Sequence, residues 1–386
     1  MRGYFNQLAL LLCVFLASAW KIYADEAGTY IPEAGKSVRP HMKVVAVEDR
    51  EGYECRLIEF SVDREERINA YLLVPETASR IRKCPAVVML HDHGARFDIG
   101  KEKLVKPMMH EATIAHNDYV ARSSRQWVDV NFDGVYLADS LASLGFVVLV
   151  ADALYWGDRS SDEAQLWSEM NFGSVPGSDK KEIRRIKNAV YEGQREVYDS
   201  LYMDGVIWAE KMLRDDIASV RLLRRFSFVD DRSIGAFGFS MGAHRCWMLC
   251  AFCDDVRCGV ALSWMTTLDR EAEMSASDYS MAVMPMRERW DFGDIGLWLR
   301  PKPMLFLSGD SDRLFPKDKV QCGYEKLQKH YSEYNSEHEM NTEPPFEPLQ
   351  TLFFSGGHHC GKDVQPLIVE YFRNNLPAAA CTAATE

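Results

Sequence analysis

The residues best suited to chemistry lie in short polar stretches that directly follow apolar runs. Ser240 sits in Gly238-Phe239-Ser240-Met241-Gly242, a G-x-S-x-G spacing. Ser233-Ile234-Gly235-Ala236-Phe237 before it has the length of a strand, and Ala243 to Cys253 after it holds no Pro or Gly. A serine turned sharply between a strand and a helix projects its hydroxyl, and flanking glycines remove side chains that would collide in so tight a turn. A serine hydroxyl is a weak nucleophile until a base takes its proton. The rest of the chain must therefore supply a base, an acid to orient it, and donors for a developing oxyanion.

His358 is the candidate base, in Ser355-Gly356-Gly357-His358-His359-Cys360 beyond the last apolar run, with His359 as the alternative. Asp312 is the candidate acid, in Leu307-Ser308-Gly309-Asp310-Ser311-Asp312-Arg313. It would hold the imidazole in the right tautomer and stabilise its charge. Asp310 competes for that role, and the Gly-x-x-Asp spacing favours Asp312. The chain order Ser, Asp, His is a known order for such a triad. An oxyanion hole needs two backbone N–H groups. One belongs to Met241, after the serine. The other is expected from His93 or Gly94, in the loop that follows Pro85 to His91.

Two metal readings compete with this one. His91-Asp92-His93 with His358 and His359 could assemble a zinc centre. No second carboxylate–His motif follows at suitable spacing, and the triad accounts for the same loops. Cys246, Cys250, Cys253 and Cys258 also have metal-like spacing. The first three share one helical face just after the serine turn, where buried thiols pack as small hydrophobes. No metal and no cofactor is expected.

The elements that must position these residues can be read from periodicity. Tyr53 to Val62 and Ile68 to Pro75 alternate apolar and polar residues around a charged turn, as two antiparallel edge strands do. Pro85 to His91 and Phe146 to Ala151 are continuously apolar, as strands buried on both faces are. Cys258 to Trp264, Met304 to Ser308 and Leu349 to Phe354 are further strands. Helices are expected over Gly134 to Leu144, Tyr198 to Arg214, Ile217 to Arg225, Ala243 to Cys253, Pro316 to Tyr331 and Val364 to Leu376. Ser160 to Lys187 reads as a polar excursion, and Thr266 to Pro303 as irregular. Apolar strands alternating with amphipathic helices indicate an α/β class, a mostly parallel sheet with helices on both faces and an antiparallel N-terminal edge. Ligands bind such sheets at the carboxyl ends of the strands, where all the candidate loops fall.

Residues 1–24 read as a secretory signal peptide: Arg2, then the apolar run Leu8 to Ala17, then small residues. That run is too short for a membrane span, so no span is expected after cleavage, and the protein is expected to be exported, periplasmic or extracellular. Residues 25–44 read as a surface arm, 45–376 as one catalytic domain, and 377–386 as a disordered tail. Export permits disulfides. Ten cysteines are present, and losing Cys13 with the signal leaves nine, so at least one has no partner within the chain. The formal net charge of −12 across 386 residues argues against nucleic-acid binding, which needs clustered Lys and Arg.

The chain resembles the α/β-hydrolase superfamily, and within it the exported dienelactone-hydrolase-like and acetyl-xylan-esterase-like proteins. The resemblance rests on His91-Asp92-His93-Gly94 with Gly100-Lys101-Glu102-Lys103, Asp152 with Trp156-Gly157-Asp158-Arg159, Gly238 to Gly242, Pro301-Lys302-Pro303 leading to Gly309 to Pro316, and Gly357-His358. It implies Ser240, Asp312 and His358 as a metal-free triad. Two departures stand out: the doubled His358-His359, and Ala95 where related chains often carry a second glycine. The expected activity is hydrolysis of a small-molecule or oligosaccharide ester, acetylated plant polysaccharides first among them, with Trp156, Trp264 and Trp290 either stacking on sugar or packed in the core. A peptidase of the same fold, a metal-dependent hydrolase and a non-catalytic binding module are the alternatives.

Overall fold

The computed structural model describes residues 40–62, 66–109, 114–172, 180–268, 290–338 and 348–376. The segments read as a signal peptide and a tail, and most of the one read as an arm, lie outside these residues, as do parts of both excursions. Among the described residues no helix is long and apolar enough to cross a membrane.

Among the described residues nine strands form one sheet: β1 Met42–Arg50, β2 Tyr53–Ser61, β3 Arg67–Pro75, β4 Cys84–Leu90, β5 Val147–Ala151, β6 Val229–Phe239, β7 Cys258–Leu262, β8 Met304–Gly309 and β9 Leu349–Phe354. Their order across the sheet is β1-β2-β3-β5-β4-β6-β7-β8-β9. The first four pair antiparallel, and β5, β4, β6, β7, β8 and β9 run parallel. The antiparallel edge has three strands where the alternation pattern indicates two. β1 begins at Met42, inside the stretch read as an arm. Only its Ala46 is buried. Its backbone pairing with β2 satisfies it without a buried side-chain face, which leaves no periodicity to find.

The named helices are α1 Ile114–Asn131, α2 Leu137–Ser143, α3 Asp162–Phe172, α4 Lys180–Met203, α5 Trp208–Leu223, α6 Met241–Phe252, α7 Lys317–Glu337 and α8 Gln365–Asn375. They cover both faces of the sheet. Along β4, Ala86, Val88 and Leu90 enter one core with α5, α6 and α7, while Val87 and Met89 enter the other with α1, α2 and α8. Burial on both faces is why β4 shows no polar alternation.

Two expected boundaries are corrected. The helix expected over Tyr198 to Arg214 is interrupted. α4 ends at Met203, Gly205 takes φ +71°, and the Val206 N–H bonds back to the Leu201 carbonyl at 2.8 Å. That is a glycine-terminated helix end. α5 then runs unbroken through Ile217 to Leu223, so the segment expected over Ile217 to Arg225 is not a separate helix. Much of the Ser160 to Lys187 excursion is helical, in α3 and the first turns of α4.

The eight described cysteines are free thiols, and all but Cys322 are buried. Cys246, Cys250 and Cys253 lie in the apolar core between α6 and the sheet. None of the disulfides that export would permit forms among the described residues.

α6 is tied to α5 by a buried ion pair. Arg245 reaches Asp216 with two bonds of 3.1 and 2.6 Å, both side chains about 97% inaccessible or more (exposures 3% and 2%). Burial pushes the Asp216 carboxyl up from its ordinary range, and Arg245 opposes that shift. Removing one partner of such a pair strands the other. Arg245→Met is expected to lower the unfolding free energy by about 3–5 kcal/mol in urea denaturation. The double variant Arg245→Met with Asp216→Leu should recover most of that loss.

Candidate active site

β6 delivers Ser240 and α6 begins immediately after it. Ser240 takes φ +55° and ψ −124°, a conformation that side chains rarely adopt. Several bonds hold it there. Its N–H donates to the Leu262 carbonyl at the end of β7, 2.9 Å away, and its carbonyl accepts from the N–H of Ala243 at 2.7 Å. The flanking glycines are required by space. A Cβ on Gly238 would lie 1.8 Å from the Gly242 oxygen, and one on Gly242 would lie 1.9 Å from the Leu90 oxygen. The start of α6 therefore packs directly on the end of β4.

The structure brings Ser240, His358 and Asp312 together. His358 Nε2 lies 2.9 Å from Ser240 Oγ, and His358 Nδ1 lies 2.7 Å from Asp312 Oδ2. Asp312 follows β8 and its side chain is fully buried. Its other oxygen, Oδ1, accepts from the N–H groups of Leu314 (2.8 Å) and Phe315 (3.2 Å), which fixes the carboxylate. The Phe315 ring stacks near-parallel on the His358 imidazole at 5.7 Å, and Phe239 lies 5.0 Å from its centroid. The Ser240 hydroxyl at Nε2, the carboxylate acceptor at Nδ1 and the rings beside it leave His358 one orientation.

The alternatives fall elsewhere. His359 points toward Asp363, 4.0 Å away, and packs on Phe354. Asp310 accepts the Gly356 N–H at 3.1 Å and shapes the histidine loop. His91 is buried with both ring nitrogens engaged. Nε2 accepts the Ala153 N–H at 3.0 Å, so Nδ1 carries the proton and donates to the Asp92 carbonyl at 2.9 Å. Burial, reinforced by the cations Lys103 and Arg245, holds His91 well below the usual imidazole range and hence neutral. With no lone pair exposed, it is not arranged as a metal ligand.

Met241 is the first residue of α6, where N–H groups point out along the helix axis. His93 and Gly94 lie in the loop after β4, and Gly94 and Ala95 take φ +56° and +51°. Ala95 thus holds a left-handed conformation that a glycine would adopt without strain. Its N–H donates to His93 Nδ1 at 3.0 Å.

A cluster of mostly buried charges lies behind this loop. Lys101 Nζ meets Asp152 Oδ2 (2.7 Å), Asp158 Oδ2 (2.8 Å) and Glu102 Oε1 (2.8 Å). Asp152 Oδ1 also takes the Lys101 N–H at 2.7 Å. These bonds lock the loop after β4 to the loop after β5. Burial pushes the Glu102 carboxyl up to about 7. Pairs of Lys and Asp scattered along the sequence carry no periodicity, so only the fold reveals the cluster.

Trp156 and Trp264 are buried and present no face to a sugar. Trp156 packs edge-on against His93, and Trp264 packs against His244, Phe292 and Phe315. Trp290 is half-buried against Trp298.

No protein-family model matches the chain. It is 23% identical over 291 residues to YtaP of Bacillus subtilis, a protein provisionally named a hydrolase, covering 75% of this chain and 78% of that protein. Among solved structures it is similar to a provisionally assigned acetyl xylan esterase from Bacteroides fragilis. That match has a TM-score of 0.59 and 13% identity, covering 87% of this chain and 75% of the other. It is also similar to the methylesterase BT1017, with a TM-score of 0.54 and 12% identity, covering 92% and 64%. At these identities the likeness establishes architecture. With a nine-stranded, mostly parallel sheet, an antiparallel N-terminal edge and a serine at the turn into α6, the chain has the α/β-hydrolase fold.

Proposed function

We propose that this protein is a serine hydrolase of carboxylic esters, with Ser240 as nucleophile, His358 as general base and Asp312 as the orienting acid. The observation that carries the reading is the unbroken hydrogen-bonded chain from Ser240 Oγ through both nitrogens of His358 to a buried carboxylate. His358 Nε2 takes the hydroxyl proton as Oγ attacks the ester carbonyl. Asp312 holds the proton on Nδ1 and stabilises the imidazolium. The tetrahedral oxyanion is met by the Met241 N–H and by a backbone N–H of His93 or Gly94. His358 returns its proton to the departing alcohol and then activates the water that releases the acid.

The substrate proposal is an ester on a carbohydrate, acetylated plant polysaccharides or their fragments. It is supported by the acetyl xylan esterase and methylesterase names of the similar structures. Export is part of the same proposal and rests on Arg2 and the apolar run Leu8 to Ala17.

Turnover of p-nitrophenyl acetate tests the mechanism. Ser240→Ala should lower kcat by about 10³-fold or more while leaving the melting temperature near wild type. Equal turnover by the two proteins would sink the proposal. His358→Ala should match Ser240→Ala, and His359→Ala should stay close to wild type; the reverse pattern would move the base by one residue. A chelator should leave the rate unchanged, whereas a metal-dependent hydrolase would lose activity.

A further inference from the structure

Lys103 is fully buried, an unusual position for an ammonium, and its contacts are specific. Nζ donates to the Asp92 carbonyl at 2.8 Å and to the His93 carbonyl at 2.9 Å. Each carbonyl has a second donor: His91 Nδ1 on Asp92 at 2.9 Å, and Trp156 Nε1 on His93 at 3.0 Å. Both peptide units are trans. In a trans peptide the N–H points opposite to the carbonyl of the same unit. Fixing the Asp92 and His93 carbonyls toward Lys103 therefore fixes the His93 and Gly94 N–H groups away from it. Of the neighbouring N–H groups, that of Ala95 is already given to the His93 ring. Gly94 is held in place by packing, since a Cβ there would lie 2.5 Å from the Trp127 ring and 2.6 Å from Asp92 Oδ2.

We infer that Lys103 is a positioning residue for the reaction, aiming the Gly94 N–H as the second oxyanion donor and placing a positive charge behind it. This inference rests on the serine-hydrolase reading above and deepens it. An oxyanion stabiliser must be preorganised, because donors that turn at the moment of reaction lose most of their advantage. Here one ammonium fixes two consecutive peptide units and adds its field from a fully buried position. The charged and titratable groups around it are Asp92, whose Oδ2 is 3.6 Å away, Asp98, Arg96 and His91. The Trp127 ring of α1 lies 5.4 Å from Nζ. Burial pulls the Lys103 ammonium down to about 8, with Asp92 and Asp98 opposing. The charge is therefore present at neutral pH and lost within an accessible alkaline range.

The test is the pH dependence of kcat and KM for p-nitrophenyl acetate, with fluorophosphonate labelling to report the serine independently. In wild type kcat should fall with a midpoint near 8. Lys103→Met should lose about 10- to 100-fold in kcat, somewhat less than the roughly 10²- to 10³-fold cost of removing an oxyanion donor itself, with KM near wild type. Its residual activity should lack the alkaline fall, because methionine does not titrate. Lys103→Arg should keep more activity and move the fall above the range measured. A wild type whose kcat is flat from pH 7 to about 10, or a Lys103→Met protein with wild-type kcat, overturns the inference while leaving Ser240 in place. If Lys103→Met does not fold, Lys103→Arg decides, and an unchanged midpoint overturns the inference. A wild type that neither turns over the ester nor labels removes the serine-hydrolase reading itself.

Discussion

The site depends on one close approach, that of the first turn of α6 to the end of β4 with no side chain between them. Gly242 sits against the Leu90 carbonyl and Gly238 against Gly242, so the chain turns within a single residue. Ser240 absorbs the turn as a left-handed conformation, which costs about 1–3 kcal/mol. The surrounding structure over-determines it through β7 behind the serine, α6 in front and the Arg245–Asp216 pair holding α6 to α5. The strain leaves the serine side chain on the turn facing His358, rather than folded into either element.

Around this turn the carboxyl ends of the strands carry loops held by very different forces. The loops after β8 and β9 are fixed by neutral and charge-assisted bonds to backbone N–H groups, as at Asp312 and Asp310. The loops after β4 and β5 are held by buried charges: Lys101 among three carboxylates, and Lys103 on two carbonyls. Buried charges are poor contributors to stability compared with apolar packing, but they tolerate only one geometry. That property suits loops whose N–H directions matter more than their stability.

The fold class was legible because the central strands have a simple physical signature. β4 and β5 are apolar on both faces because helices cover both, and β9 was read to the residue. β1 was not legible as a strand, since an edge strand with one buried side chain leaves no pattern. The α4–α5 junction was visible in Asp204-Gly205, a turn signal overridden by the apolar periodicity on either side. At the site, Ser240, Asp312 and His358 stood out because each follows a strand in a Gly-rich loop, and the structure brings these three into hydrogen-bond contact. Lys103 stands in the sequence only as the last residue of Gly100-Lys101-Glu102-Lys103. Nothing local to it shows that its Nζ ends on the carbonyls of residues ten and eleven positions earlier.

The hydrogen bond between Ser240 and His358 closes a loop of 118 residues, and that between Asp312 and His358 one of 46. Bringing residues so distant in sequence together costs chain entropy, which is offset by the pairing of the strands between them. During synthesis β4, β5 and β6 can pair, and the turn at Ser240 can form, before β8 and β9 exist. A nascent chain therefore carries Ser240 without the imidazole that its hydroxyl meets in the folded protein, and the hydrogen-bonded chain from Ser240 to Asp312 closes only when the final strand joins the sheet edge.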